Sequence, residues 1–276
     1  MSTSAFRVVR ALPGLLREVQ TGAAPAPLLV GGPPSTVSEL SRALSRGGDA
    51  SLVRELRVDW ARRGSPLHEG GERGAALVYV VRGDLTPTDE RVLREADHRG
   101  LPLVCLLLDG GRANGRVLPY VLATDVVHAS TIDAAAVVAV AVRVAARAGE
   151  AAWALARALP VLRRPVAEAL VKRYARQNAV IGAAVFVPGA DLPILTLNEL
   201  RMVLRIAAAY GVAPDGARRL ALATVVGAGF GLRAFARRAA QLLPVPAFAL
   251  KAGVAYGGTR AIGEAAINYL ERGAAP

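Results

Sequence analysis

The amino-acid sequence predicts a mainly parallel α/β domain followed by an all-helical domain. Short apolar runs alternate with amphipathic helical patterns up to about residue 150, no strand pattern survives from Ala151 onward, and the charge balance changes at the same place. Residues 1–150 hold 18 basic and 16 acidic side chains, whereas residues 151–276 hold 16 and 6. A chain of 276 residues accommodates two domains, each large enough to bury a core. The predicted division is an N-terminal amphipathic segment (1–26), an α/β domain (27–150) and a basic, apolar helical domain (151–276) built from packed helical hairpins.

In the α/β part, Leu28 to Val30 reads as a buried strand, Thr36 to Leu44 as a helix, Leu52 to Val58 as an alternating strand and Leu77 to Val81 as a second buried strand. Thr86-Pro87-Thr88-Asp89 supplies an N-cap, a proline at the first helical position and an acid in the first turn, so a helix is expected to about Arg99. Leu103 to Leu108 and Val121 to Val127 are further strands. Ser130 or Thr131, with Asp133, opens a helix that Gly149 ends.

In the helical part, Pro160 and Pro165 punctuate the start, and Val166 to Val187 reads as one long helix stopped by a structural turn, Pro188, Gly189, Asp191 and Pro193 marking it. Thr196 and Glu199 have the spacing of a capping box for the next helix, which ends near Tyr210-Gly211. A second pair follows, Ala217 to Leu243 and Ala247 to Arg272, broken at Pro244-Val245-Pro246. Gly227 and Gly231 on one helix, and Ala249, Gly253, Gly257, Ala261 and Ala265 on the other, form small-residue faces that allow close approach. Arg260 and Glu264 are spaced as an i,i+4 pair.

Composition bounds the function. Cys105 is the single cysteine, which excludes an internal disulfide and suits a reducing compartment. Only Lys172 and Lys251 are lysines, an arginine bias that reads as coding bias, but the positive charge is concentrated in the helical half, where an anionic membrane, nucleic acid or an acidic protein face would meet it. The opening residues lack a long apolar run with a small-residue cleavage site, so no signal peptide is expected; Phe6, Val9, Leu12, Leu16 and Val19 recur at helical spacing opposite Arg7, Arg10 and Arg17, broken at Pro13-Gly14, and read as a short helix packed on the protein in preference to a basic amphipathic surface anchor.

The segments LLVGGPPSTVSEL and ALVYVVRGDLTPTDERVLREADHRGLPLVCLLL resemble the strand, phosphate loop and helix, and the later strand-helix-strand, of an Era-like GTPase. The resemblance implies a phosphate loop at Gly31, Gly32 and Ser38. A working loop has the pattern G-x-x-x-x-G-K-S/T, in which amides wrap the phosphates and lysine neutralises them. Aligned on Gly31, the second glycine is Thr36, the lysine is Val37 and only Ser38 remains, while Pro33 and Pro34 remove amide donors. Asp59 is followed by Gly64, five residues on instead of three, and Leu-Asp-Gly-Gly stands where Asn-Lys-x-Asp would read guanine. The domain therefore reads as a degenerate GTPase without nucleotide hydrolysis; an unrelated doubly wound domain would also carry glycines after its first strand.

No other catalytic constellation is found. His68, His98 and His128 are too scattered for a zinc site, no G-x-S-x-G elbow is present, Cys105 lies in an apolar strand, and GAGFG at Gly227 to Gly231 lacks the context of a dinucleotide fingerprint. No catalytic residue, metal or cofactor is expected.

RQNAVIGAAVFVPGADLPILTLNELRMVLRIAAAYGV, with LATVVGAGFGLRAFAR and VAYGGTRAIGEAA after it, resembles the YcjF-like family of bacterial domains of uncharacterised function, often found behind Era-like GTPase domains and described as membrane-associated. The resemblance covers about residues 150–272. It implies a non-enzymatic scaffold or adaptor with a pseudo-GTPase domain, peripheral to the cytoplasmic face of a membrane. The longest uncharged runs, Asn178 to Ala190 and Leu220 to Leu232, are too short to span a bilayer, so contact is expected at an apolar tip ringed by Arg237, Arg238 and Lys251, with Phe248 inserting. A protein partner or homo-oligomer would cover the same tip. The alternatives are a nucleotide-responsive protein with an atypical loop and, below it, nucleic-acid binding through the C-terminal arginines.

Overall fold

The computed structural model describes residues 14, 25–56, 74–108, 118–184, 192–212 and 247–273. Residues 24–166 form one compact unit, and the chain from 167 onward belongs to a second. The first contains β1 (Leu28–Gly31), α1 (Pro34–Leu44), β2 (Val53–Glu55), β3 (Ala76–Arg82), α2 (Pro87–His98), β4 (Leu103–Leu108), β5 (Val126–Ala129), α3 (Ala134–Arg147) and α4 (Ala151–Ala158).

Its five strands are all parallel, in the order β2-β1-β3-β4-β5. The steps from β1 to β2 and from β3 to β4 run in opposite directions across the sheet, so right-handed crossovers send α1 and α2 to opposite faces. Burial agrees. Leu29, Leu77, Tyr79, Leu103, Cys105 and Leu107 pack with Val92, Leu93 and Ala96 of α2. The alternate residues Leu28, Val30, Val78, Val80, Val104 and Leu106 are just as buried, on the face where α1 and α3 touch. Burial on both faces explains why these strands read as continuous apolar runs.

The expected caps form. Thr86 Oγ1 accepts from Asp89 N–H at 3.2 Å while Asp89 Oδ2 accepts from Thr86 N–H at 2.8 Å, and Asp133 caps α3 by accepting from Ala136 N–H at 2.8 Å. Two segments differ from the sequence reading. Helix α1 begins at Pro34, two residues before Thr36. Strand β5 begins at Val126, five residues after Val121, because Tyr120 takes a positive φ of 65° and Ala123–Asp125 forms a 3-10 turn. Helix α4 packs on this unit, burying Ala152, Leu155 and Ala156, and Asp49 N–H donates to Ala158 O at 3.0 Å.

The helical unit holds α5 (Arg163–Ala184), whose first turn belongs to the α/β unit, α6 (Leu192–Ala209) and α7 (Ala247–Gly273). A β-carbon at Gly182 would lie 3.0 Å from Ala255 Cβ and Lys251 O, and one at Gly263 would lie 2.3 Å from Val171 Cγ2. Helices α5 and α7 are therefore antiparallel and in close contact through these two glycines. Thr259 bonds Glu199 and Tyr210 bonds Glu271, so α6 and α7 run parallel. The architecture is a parallel α/β region followed by a helical region, as the sequence predicts.

Two expectations are corrected. Thr196 and Glu199 lie in the interior of α6, because the helix has begun at Leu192; Pro193 therefore sits in the first helical turn, where a proline is tolerated. The stripe Ala249, Gly253, Gly257, Ala261 and Ala265 faces outward, and no atom lies within 4 Å of a β-carbon built at Gly253 or Gly257. Burial follows the larger side chains one step round the helix, Ile262, Ile267 and Leu270.

Gly32 has φ 129°, and a β-carbon there would lie 2.4 Å from Val80 O, whereas Gly83, at φ 74°, has open space around it. Gly32→Ala should therefore destabilise the α/β unit by on the order of 2–5 kcal/mol and Gly83→Ala by only about 1 kcal/mol. Urea unfolding of the full chain followed by circular dichroism measures both.

Candidate functional site

In a doubly wound sheet, ligands bind beyond the carboxyl ends of the strands where the strand order reverses. Here that point lies between β1 and β3, and it contains Gly31, Gly32 and Ser38. Gly31 ends β1, and a β-carbon on it would approach the Tyr79 ring to 2.9 Å. Gly32 presses against Val80. Both glycines thus have a packing reason: they let β1 and its exit lie close to β3. Only Gly32 and Pro33 separate β1 from α1, so helical backbone occupies Pro34 to Val37, where a phosphate loop would still be wrapping its ligand.

A helix N-terminus attracts anions through its orphan amides. Pro34 has no N–H, Val37 N–H is used by Pro33 O at 3.0 Å, and the N-cap Pro33 supplies no side-chain cap. That leaves Ser35 and Thr36 as amide donors in the first turn. Ser38 lies in the second turn, and its hydroxyl donates to Glu55 Oε2 on β2 at 3.2 Å, placing a carboxylate beside the one hydroxyl that the pattern retained.

Beneath α2, Tyr79 O–H donates to Asp89 Oδ1 at 2.6 Å, tying the Thr86 and Asp89 cap to the sheet. Burial, then the Asp89 hydrogen bond, push the Tyr79 phenol well above its ordinary range. Burial pushes the Cys105 thiol up to about 12, with the Asp89 charge adding to it. At the opposite, amino edge of the sheet, a crevice of about 280 Å³ is lined by Leu103, Tyr120, Asp125 and Arg147 among others. Arg147 Nε stands 3.1 Å from the buried Asp125 Oδ2, pairing the end of α3 with the start of β5.

The helical unit contains a polar chain that sequence reasoning missed. Asn198 Nδ2 donates to Asn178 Oδ1, Asn178 Nδ2 donates to Thr259 Oγ1, and the Thr259 hydroxyl donates to Glu199 Oε1, each at 2.9 Å. All four side chains are buried, Asn178, Glu199 and Thr259 completely. The signal available was phase: Asn178 continues the buried series Val171, Tyr174 and Ala175, and Asn198 and Glu199 sit between buried Leu195 and Met202.

Of the expected membrane contacts, Phe248 is 59% exposed and Lys251 is half-buried near the start of α7, while Arg237 and Arg238 lie outside the described residues, as do Pro188, Gly189 and Asp191 of the turn. The large apolar side chains Val180 and Ile194 are also exposed. Arg260 Nε bonds Glu264 Oε1 at 2.7 Å, as its spacing predicts. His98 and His128 are exposed and stand on different elements, and among the described residues no group of three or more His, Cys, Asp or Glu converges as a metal site would. Among the described residues no helix is long and apolar enough to cross a membrane.

Fold and sites together define a two-part protein, a parallel α/β unit joined to a basic helical unit. Residues 146–275 match the family model described as a domain of unknown function, DUF697, consistent with the YcjF-like resemblance of this half. No curated protein matches significantly, and no solved structure does.

Two outcomes are expected. Cys105 should resist a disulfide reagent such as DTNB at pH 8 in the native protein and react at once in urea, because its thiol stays protonated and covered. Asn178→Ala would remove the acceptor of Asn198 Nδ2 and the donor to Thr259 Oγ1, and should destabilise the helical unit by roughly 2–4 kcal/mol in chemical unfolding.

Proposed function

We propose that this protein is a non-enzymatic scaffold that holds a GTPase-like α/β surface at an anionic membrane through its helical unit. The observation that carries the first half is the start of α1 at Pro34, directly after Gly32-Pro33. Phosphoryl chemistry in this fold class relies almost wholly on amides, a lysine and a metal placed around the phosphates. The corner at Gly31, Gly32 and Ser38 presents two prolines, no lysine and the carboxylate of Glu55. The second half is supported by the excess of 16 basic over 6 acidic side chains after residue 150 and by exposed Val180, Ile194 and Phe248.

Isothermal calorimetry with magnesium and GTP, GDP or ATP should give affinities weaker than about 100 μM and no turnover above background. Micromolar binding abolished by Ser38→Ala would replace this reading with that of a nucleotide-responsive protein. Flotation with vesicles of phosphatidylcholine containing phosphatidylglycerol should carry the protein upward, more weakly as salt rises, and carbonate should extract it. Failure to float with any vesicle rejects the membrane half.

A further inference from the structure

We propose that the crevice at the amino edge of the sheet binds a free α-amino acid with an apolar side chain. It stands at the opposite end of the strands from Gly31 and Gly32, so it depends on neither the phosphate-corner reading nor the membrane reading above. The observation that points to a ligand is a buried oxygen without a donor. The Asp125 side chain is 7% exposed and lines the crevice, yet its Oδ2 accepts no hydrogen bond from any described residue. Arg147 Nε stands 3.1 Å away and supplies charge, but its N–H is not directed at that oxygen. A buried carboxylate in this state lacks the donor that would offset its lost hydration. The donor it calls for is one that enters from the crevice.

The charges on the walls define what carries that donor. A simple cation would meet the Arg147 guanidinium beside Asp125, and a simple anion would meet two carboxylates, Asp125 and, from the end of α2, Asp97. A zwitterion meets both demands, its ammonium donating to Asp125 Oδ2 and its carboxylate accepting from Arg147. In an α-amino acid those two groups are held about 3 Å apart by covalent geometry, which matches the 3.1 Å between the Asp125 and Arg147 atoms. The rest of the crevice selects the side chain. Leu101, Leu103, Val121 and Leu122 form an apolar wall, and Leu122 is 59% exposed, so an apolar side chain laid on it removes surface from water. The volume of about 280 Å³ falls just below the range of about 300–1,000 Å³ that holds drug-sized ligands, which suits a molecule as small as an amino acid. Tyr120 is fixed before anything binds: its hydroxyl accepts from Arg94 Nε at 3.0 Å, and that guanidinium lies 5.6 Å from the ring centroid. A wall already ordered adds little entropic cost to binding.

Calorimetry and saturation-transfer NMR of the full chain with L-leucine test the assignment, beside three compounds that each lack one feature. N-acetyl-L-leucine has no ammonium, L-leucinamide no carboxylate and glycine no side chain. L-Leucine should bind with a Kd on the order of 0.1–1 mM, and each of the three about tenfold more weakly or worse. Arg147→Gln should abolish the preference for L-leucine over L-leucinamide, a change that a purely structural role for the arginine does not produce. Leu122→Asp, at an exposed position, should weaken L-leucine about fivefold or more, and it carries the test if circular dichroism finds Arg147→Gln unfolded. No binding by either method up to about 10 mM L-leucine overturns the proposal, as does equal affinity for N-acetyl-L-leucine. Affinity unchanged by Leu122→Asp would put the amino acid elsewhere and overturn this site. Tighter binding of L-leucinamide than of L-leucine by the parent would make the crevice a site for amines and overturn the zwitterion.

Discussion

The helical unit is organised around a carboxylate that has no access to water. Glu199 is fully buried, and an acid in that position destabilises a fold unless donors converge on it. The Thr259 hydroxyl is one such donor, and it can point at Glu199 because Asn178 donates to the same oxygen from the other side. Asn178 is held in turn by Asn198. Each bond crosses between helices, so the relative rotation and axial register of α5, α6 and α7 are set together. The cores of Ala, Val and Leu around them would tolerate sliding; a chain of directed hydrogen bonds does not. The register then brings Gly182 against Ala255 and Gly263 against Val171, where only a residue without a β-carbon fits.

In the α/β unit the corresponding constraint is steric. Strands β1 and β3 are adjacent though distant in sequence, and the chain leaves β1 beside the backbone of Val80. Glycine at 32 is the solution, and the short turn through Pro33 into Pro34 follows from it. A proline at the first helical position is favourable for the helix because its missing N–H would be unpaired there, but the same substitution takes a donor away from anything that would bind the corner. Local stability and anion binding are in opposition at this point, and the sequence has the residues that serve stability.

Much of the fold was legible because its elements are bounded by residues with one strong conformational preference. Thr86 to Asp89 and Asp133 opened helices where expected, and the buried strands showed as unbroken apolar runs. The failures have physical causes. Thr196 and Glu199 have capping-box spacing, but spacing cannot tell a polar pair at a helix end from one turned into the core. The stripe at Ala249 to Ala265 looked like a contact face since small residues permit contact; they do not drive it in water, and the apolar area of Ile262, Ile267 and Leu270 decided which side of α7 was buried. The glycines at 31 and 32 were legible as a backbone requirement and ambiguous as to its reason, because a phosphate and a neighbouring strand both demand a missing side chain.

Length and composition separate the ways a helical unit can meet a bilayer. Helix α7, at 27 residues, is about 40 Å long and could reach across a hydrocarbon core of about 30 Å. Its charges at Lys251, Arg260, Glu264, Glu271 and Arg272 are spread along that length, and its inner face carries Thr259 toward a buried acid instead of toward lipid. Spanning would require several of these charges to lose water, at a cost on the order of 2–3 kcal/mol each even by insertion scales, and would break the polar chain that sets the register. A unit built around a rigid polar core thus disfavours spanning by α7.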